Sequence, residues 1–114
     1  HDGVRALREF RRVLKPGGQV WVIVPNILAA AELILKEGLY AKVYDAPCGA
    51  VRASDMLWGH QTLIEMDGGP RAFRYAHKFG YTADTLKSAL EVAGFKNVKA
   101  AAPEHWDIAA TGTK

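Results

Sequence analysis

The side chains that could carry chemistry in this sequence stand mostly in its middle. His60 and His77 come first, because imidazole is the side chain that changes charge near neutral pH. Each is a candidate general base or a group that binds and orients a reactant. Each would serve equally as a structural histidine bonding loop backbone. Asp55 can orient His60, although five residues is not a spacing that stacks two side chains on one helix face. Asn26 directly follows an apolar run, at the carboxyl end of a predicted strand, where open α/β sheets bind ligands. Tyr40, Tyr44 and Trp58 can shape a pocket or pack among themselves.

Cys48 is the only cysteine, so no intrachain disulfide can form, and a reducing, cytoplasmic setting is the default. No base motif accompanies Cys48, which leaves it a weak candidate nucleophile. Cys48, His60, His77 and His105 show no ligand spacing of the CxxC or HxxxH kind, so no metal site is expected.

These residues need elements to hold them. Asp2 to Leu14 reads as an amphipathic helix, with Val4, Leu7, Phe10 or Val13, and Leu14 on one face and arginines on the other. Asp2 suits its N-cap, and Pro16-Gly17-Gly18 ends it. Gln19 to Pro25 is continuously apolar, as in a strand covered on both faces within a parallel sheet. Residues 27 to 37 form a helix apolar almost all round, so it should be buried or docked, and Gly38 stops it. Between 39 and 81 short helices are expected near Ala53 to Ile64 and near Pro70 to His77. Thr82 caps a helix running to Ala93, which Gly94 terminates. Strands near 97 to 102 and 106 to 113, with a turn around Pro103-Glu104-His105, read as an antiparallel hairpin. About three strands are expected, fewer than most sheets contain.

Composition narrows the classes. Hydrophobic residues make up 49% and charged residues 24% of the 114, which is ordinary for a globular domain. The longest apolar run, near 27 to 35, is far short of the roughly 20 residues that span a bilayer, so no membrane partner is expected. Net charge is +3, and Arg5, Arg8, Arg11, Arg12 and Lys15 cluster early. They read as a solvated helix face, because no aromatic platform is interleaved with them, and no nucleic-acid partner is expected.

Three motifs, in order, resemble class I S-adenosylmethionine (SAM)-dependent methyltransferases. Leu14-Lys15-Pro16-Gly17-Gly18 before an apolar strand is similar to that family's turn into its fifth strand. Thr82 to Phe95 is similar to its "T…L…L…AGF" helix, with Phe95 pinning the helix end to the sheet. The terminal hairpin would supply strands six and seven. Tyr44, Pro47, Gly49, Asp55-Met56-Leu57-Trp58-Gly59-His60 and His77-Lys78-Phe79-Gly80-Tyr81-Thr82 resemble bacterial methyltransferases of the type-11 kind.

The resemblance implies an α/β fold: the C-terminal half of a Rossmann-like methyltransferase, strands 5, 6 and 7 with flanking helices, the seventh antiparallel. It implies one partial domain over 1–114 with an acceptor-side insert at about 26–81. The implied function is a portion of a methyltransferase acting on a small molecule. His60 and His77 would be catalytic. Asn26, Tyr44, Asp55 and Trp58 would bind the acceptor, and His1 and Asp2 would border the methyl donor. The family's GxGxG loop and ribose-binding acid are missing, and Gly17-Gly18 cannot replace them because it runs from helix to strand. SAM is therefore expected as cofactor of the complete enzyme, with none bound by this chain alone. The chain is expected to be a cut form of a longer enzyme or a natural remnant, beginning just after the fourth strand. The strand at Gln19 to Pro25 would then have an open edge, which implies homo-oligomerisation. The alternative function is a non-catalytic remnant that self-associates or binds a protein.

Overall fold

The computed structural model of this chain describes residues 2–114. In chain order it forms α1 (Asp2–Val13), β1 (Gln19–Pro25), α2 (Ile27–Glu37), β2 (Lys42–Ala46), β3 (Gly49–Arg52), α3 (Ala53–Trp58), α4 (Gln61–Asp67), a 3-10 turn (Ala72–Tyr75), α5 (Ala83–Val92), β4 (Lys96–Glu104) and β5 (Asp107–Thr113). The architecture is mixed α/β with a small antiparallel sheet. The chain divides into two compact units: the described residues up to Pro25 with Tyr81–Lys114, and Asn26–Gly80. The second coincides, to within a residue, with the insert read from the sequence.

In the first unit, β1, β5 and β4 form a sheet in that order, with β5 antiparallel to both neighbours. Period-2 alternation sends Val20, Val22 and Val24 of β1 toward the core formed with α1 and α5. Leu7, Leu86, Leu90, Phe95 and Ile108 are its buried large side chains. Each such burial contributes about 1.5–3 kcal/mol before entropy is counted. Trp21 and Ile23 point the other way and are 71% and 57% exposed. This corrects the expectation of a strand covered on both faces. β1 is apolar on both faces, but only one is covered.

The ends of these elements follow local chemistry. After α1, Gly18 N–H donates to the Lys15 carbonyl at 2.8 Å, closing a turn in which Gly17 has φ 77°. Proline then glycine suits such a turn, because proline presets its φ and glycine takes the positive one. Thr82 caps α5: its Oγ1 accepts from Thr85 N at 3.3 Å, and its own N–H donates to Thr85 Oγ1 at 2.8 Å. Phe95 closes the far end of α5 against β5, where a Cβ built on Gly112 would lie 2.9 Å from the Cβ of Phe95. In β4 the register shifts between Lys96 and Lys99, where Asn97 takes φ 51°, and again between Ala101 and Glu104 around Pro103. Pro103 has no N–H to donate, and this edge strand accommodates it at the irregularity. On α1, Phe10 and Val13 are exposed, so Val4, Leu7 and Leu14 carry the packing.

The second unit holds α2 and a compact set of short elements. Residues Lys42 to Arg52, expected as irregular, form a hairpin of β2 and β3. The expected helix from Ala53 to Ile64 is two helices, broken at Gly59 with φ 95° and ψ 164°. The expected helix near Pro70 to His77 is a single 3-10 turn. On α2, Ala29 and Ala30 are buried while Leu28 and Leu35 are exposed, so that helix is docked through its small residues and not enclosed.

Candidate functional site

The segment from Arg52 to His60, with the hairpin tip and residues 75–77, gathers most of the candidate side chains of the second unit. Backbone bonds fix it. Ala53 N and Ser54 N donate to the carbonyls of Ala41 and Leu39, at 2.9 and 3.1 Å. Arg52 Nη1 donates to the Tyr40 carbonyl at 2.9 Å. An isolated antiparallel bridge joins Gly59 to Ala76, and His77 N–H donates to the Trp58 carbonyl at 3.2 Å. The strand-like contact thus sets the His60 and His77 segments side by side.

Asp55 is buried, and both carboxylate oxygens are engaged. One accepts from Arg52 N at 2.8 Å, the other from Gln61 N at 3.1 Å. These are orphan amides at the starts of α3 and α4, groups that need a partner when buried. Asp55 therefore holds the backbone beside His60 and does not bond the His60 ring. Each of its oxygens bonds the chain's own backbone, so Asp55 positions the starts of α3 and α4.

The two histidines differ. His77 Nδ1 lies 2.9 Å from the Met56 carbonyl, so it carries the proton and donates. In the neutral ring Nε2 is then the lone-pair nitrogen, and the residue is exposed. A fixed tautomer with an accessible acceptor nitrogen is what a general base requires. His60 is enclosed by contrast. Its Nε2 lies 3.4 Å from Cys48 Sγ, and its Nδ1 is buried with no hydrogen-bond partner.

The remaining predicted residues are spread out. Trp58, at the end of α3, and Tyr44, in β2, are both exposed. Asn26 follows β1 and caps α2, its Oδ1 accepting from Leu28 N and Ala29 N at 3.2 and 3.5 Å. Asp2 opens α1 in the first unit as its first helical residue, 3.8 Å from Arg5 Nη2 in a surface pair. His1 lies outside the described residues. Among the described residues no three of His, Cys, Asp and Glu converge as metal ligands. Among them, too, no helix is long and apolar enough to cross a membrane.

Sequence reasoning missed the Cys48–His60 contact. The only signal was that both are rare residue types flanking one buried acid. No family model, curated protein or solved structure matches this chain.

Proposed function

We propose that this chain is a portion of a class I SAM-dependent methyltransferase acting on a small molecule, a sugar or other metabolite, in the cytoplasm. The observation that supports it most is the strand order β1-β5-β4, with β5 antiparallel between its neighbours. That is the 5-7-6 arrangement the motif resemblance implies, although a three-stranded sheet is less than the full fold.

Methyl transfer is an in-line displacement, to which a protein contributes orientation and, for some acceptors, a base. In this reading His77 takes the acceptor's proton at Nε2, held by its bond to the Met56 carbonyl. Trp58 and Tyr44 offer aromatic surface to the acceptor, and Asp55 keeps the frame of α3 and α4. SAM would supply the methyl group in the complete enzyme. The described residues do not fit it: Gly17 and Gly18 lead from helix into strand, and Asp2 is exposed and paired with Arg5. This chain alone is therefore proposed to be inactive.

The test has two parts. Calorimetry of the chain with SAM should give no saturable heat up to about 1 mM, equivalent to roughly 4 kcal/mol. The reading frame upstream of His1, expressed together with the chain, should encode a GxGxG strand–loop–helix and convert SAM to S-adenosylhomocysteine with a small acceptor. Micromolar SAM binding by the chain alone, or an extended frame without SAM turnover, would count against the reading.

A second reading is a non-catalytic domain that self-associates. The observation favouring it is the position of β1 at the sheet edge, with Trp21 and Ile23 exposed beside that edge.

A further inference from the structure

The contact between Cys48 and His60 is not used by either reading of function. Cys48 sits at the tip of the β2–β3 hairpin, following Pro47, and is half-buried. His60 sits at the junction of α3 and α4, and the hairpin brings the thiol to 3.4 Å from its Nε2. The junction is held rigid by the Asp55 bonds to Arg52 N and Gln61 N, so the imidazole is presented by an ordered backbone.

We propose that Cys48 and His60 form a thiol–imidazole pair that makes Cys48 a modification site for small disulfides. The nucleophilic form of cysteine is the thiolate, and an adjacent histidine favours it. In the reaction the Cys48 thiol proton passes to His60 Nε2. The sulfur attacks one sulfur of the disulfide, an S–S bond forms to Cys48, and the reagent's own S–S bond breaks. The departing half leaves as a thiolate and takes the proton back from Nε2, so the products are a mixed disulfide and one small thiol.

The unpartnered Nδ1 of His60 defines what the pair is for. Catalytic cysteine sites orient the base through a third group on the far nitrogen. Here Nδ1 is buried without one. The ring is set up for proton transfer at Nε2 and lacks the support expected of repeated turnover. That fits a thiol that is captured and released by exchange better than a cysteine enzyme. The inference is independent of the methyltransferase reading.

The experiment uses 4,4′-dithiodipyridine, whose released thiopyridone absorbs, and Cys48 is the chain's only thiol. At pH 7 the folded chain should react about tenfold faster than the same chain in urea, because folding places His60 Nε2 3.4 Å from the thiol to take its proton. His60→Gln, shown folded by circular dichroism, should lose about fivefold or more of that rate. The folded-against-unfolded comparison needs no variant, so it stands even if His60→Gln does not fold. A folded chain that reacts no faster than the unfolded one, or a folded His60→Gln with the original rate, overturns the proposal.

Discussion

Gly59 faces the backbone of Tyr75 and Ala76 at a distance that leaves no room for a side chain: a Cβ built on it would overlap the Tyr75 carbonyl and lie 2.9 Å from the Ala76 Cα. Its φ of 95° and ψ of 164° belong to a region that only glycine occupies readily. Gly59→Ala therefore meets both a clash and a backbone penalty of about 1–3 kcal/mol. It should separate the His60 segment from the His77 segment. Hydrogen exchange at His77 N–H, which bonds the Trp58 carbonyl, should become fast. Retained protection there would show that the bridge does not depend on Gly59.

Lys114 ties the last strand to the end of α1. Its Nζ donates to the Arg12 carbonyl at 3.1 Å and to the Leu14 carbonyl at 2.6 Å. A cation on orphan carbonyls at a helix C-terminus also meets the negative end of the helix dipole. Lys114→Met should lower stability by about 1–2 kcal/mol in urea unfolding. Lys99→Met, an exposed change on the edge strand β4, should stay within about 0.5 kcal/mol. Equal effects of the two would remove the capping role.

Tyr81 packs against the core of the first unit, and burial raises its phenol above the ordinary value of 10.0. The folded state thus holds the proton longer than the unfolded state. The associated stability is present below pH 10 and is lost as pH rises through the raised folded value. Unfolding titrations should show stability falling on the alkaline side of 10, and Tyr81→Phe should flatten that part of the slope. An unchanged slope would assign the alkaline loss to other groups.

Self-association is expected through β1, whose outer edge carries no partner strand among the described residues. Apolar edges without a blocking lysine or proline in mid-strand pair readily with other chains. Light scattering at micromolar concentration should report a species larger than the monomer. Trp21→Lys should shift it toward monomer while leaving the core face, Val20, Val22 and Val24, intact. A folded wild-type monomer would contradict the expectation.

Much of the first unit was legible. Helix caps and stops at Thr82, Gly94 and Pro16-Gly17-Gly18 are local signals, and α1, β1, α5 and the terminal hairpin fall near their expected bounds. The coverage of β1 was not legible, because valine, tryptophan and isoleucine on both faces erase the alternation that tells a covered face from an open one. The second unit was hardest. Its hairpin is short, its helices are one or two turns long, and the break at Gly59 is imposed by the Tyr75 backbone, which no local pattern announces. The Cys48–His60 contact is a product of that tertiary arrangement. The sequence marks His60 and His77 only as residue types; which of them offers an accessible nitrogen depends on the Met56 carbonyl and the hairpin tip.

The order of the sheet has a consequence for how the chain is made. β5 is the middle strand, yet it is the last element of the sequence, and β1 and β4 pair with it and not with each other. During synthesis β1 waits for β5 through the whole of Asn26–Gly80, a stretch that forms its own compact unit. Closing a loop of that length costs roughly 3–4 kcal/mol of chain entropy, which only the arrival of β5 can offset. Until then the edge of β1 that β5 covers, along Val20 to Val24, has no partner strand. Its exposure on the ribosome is set by translation speed across the intervening segment, and a pause there would lengthen the window in which holdase chaperones engage it.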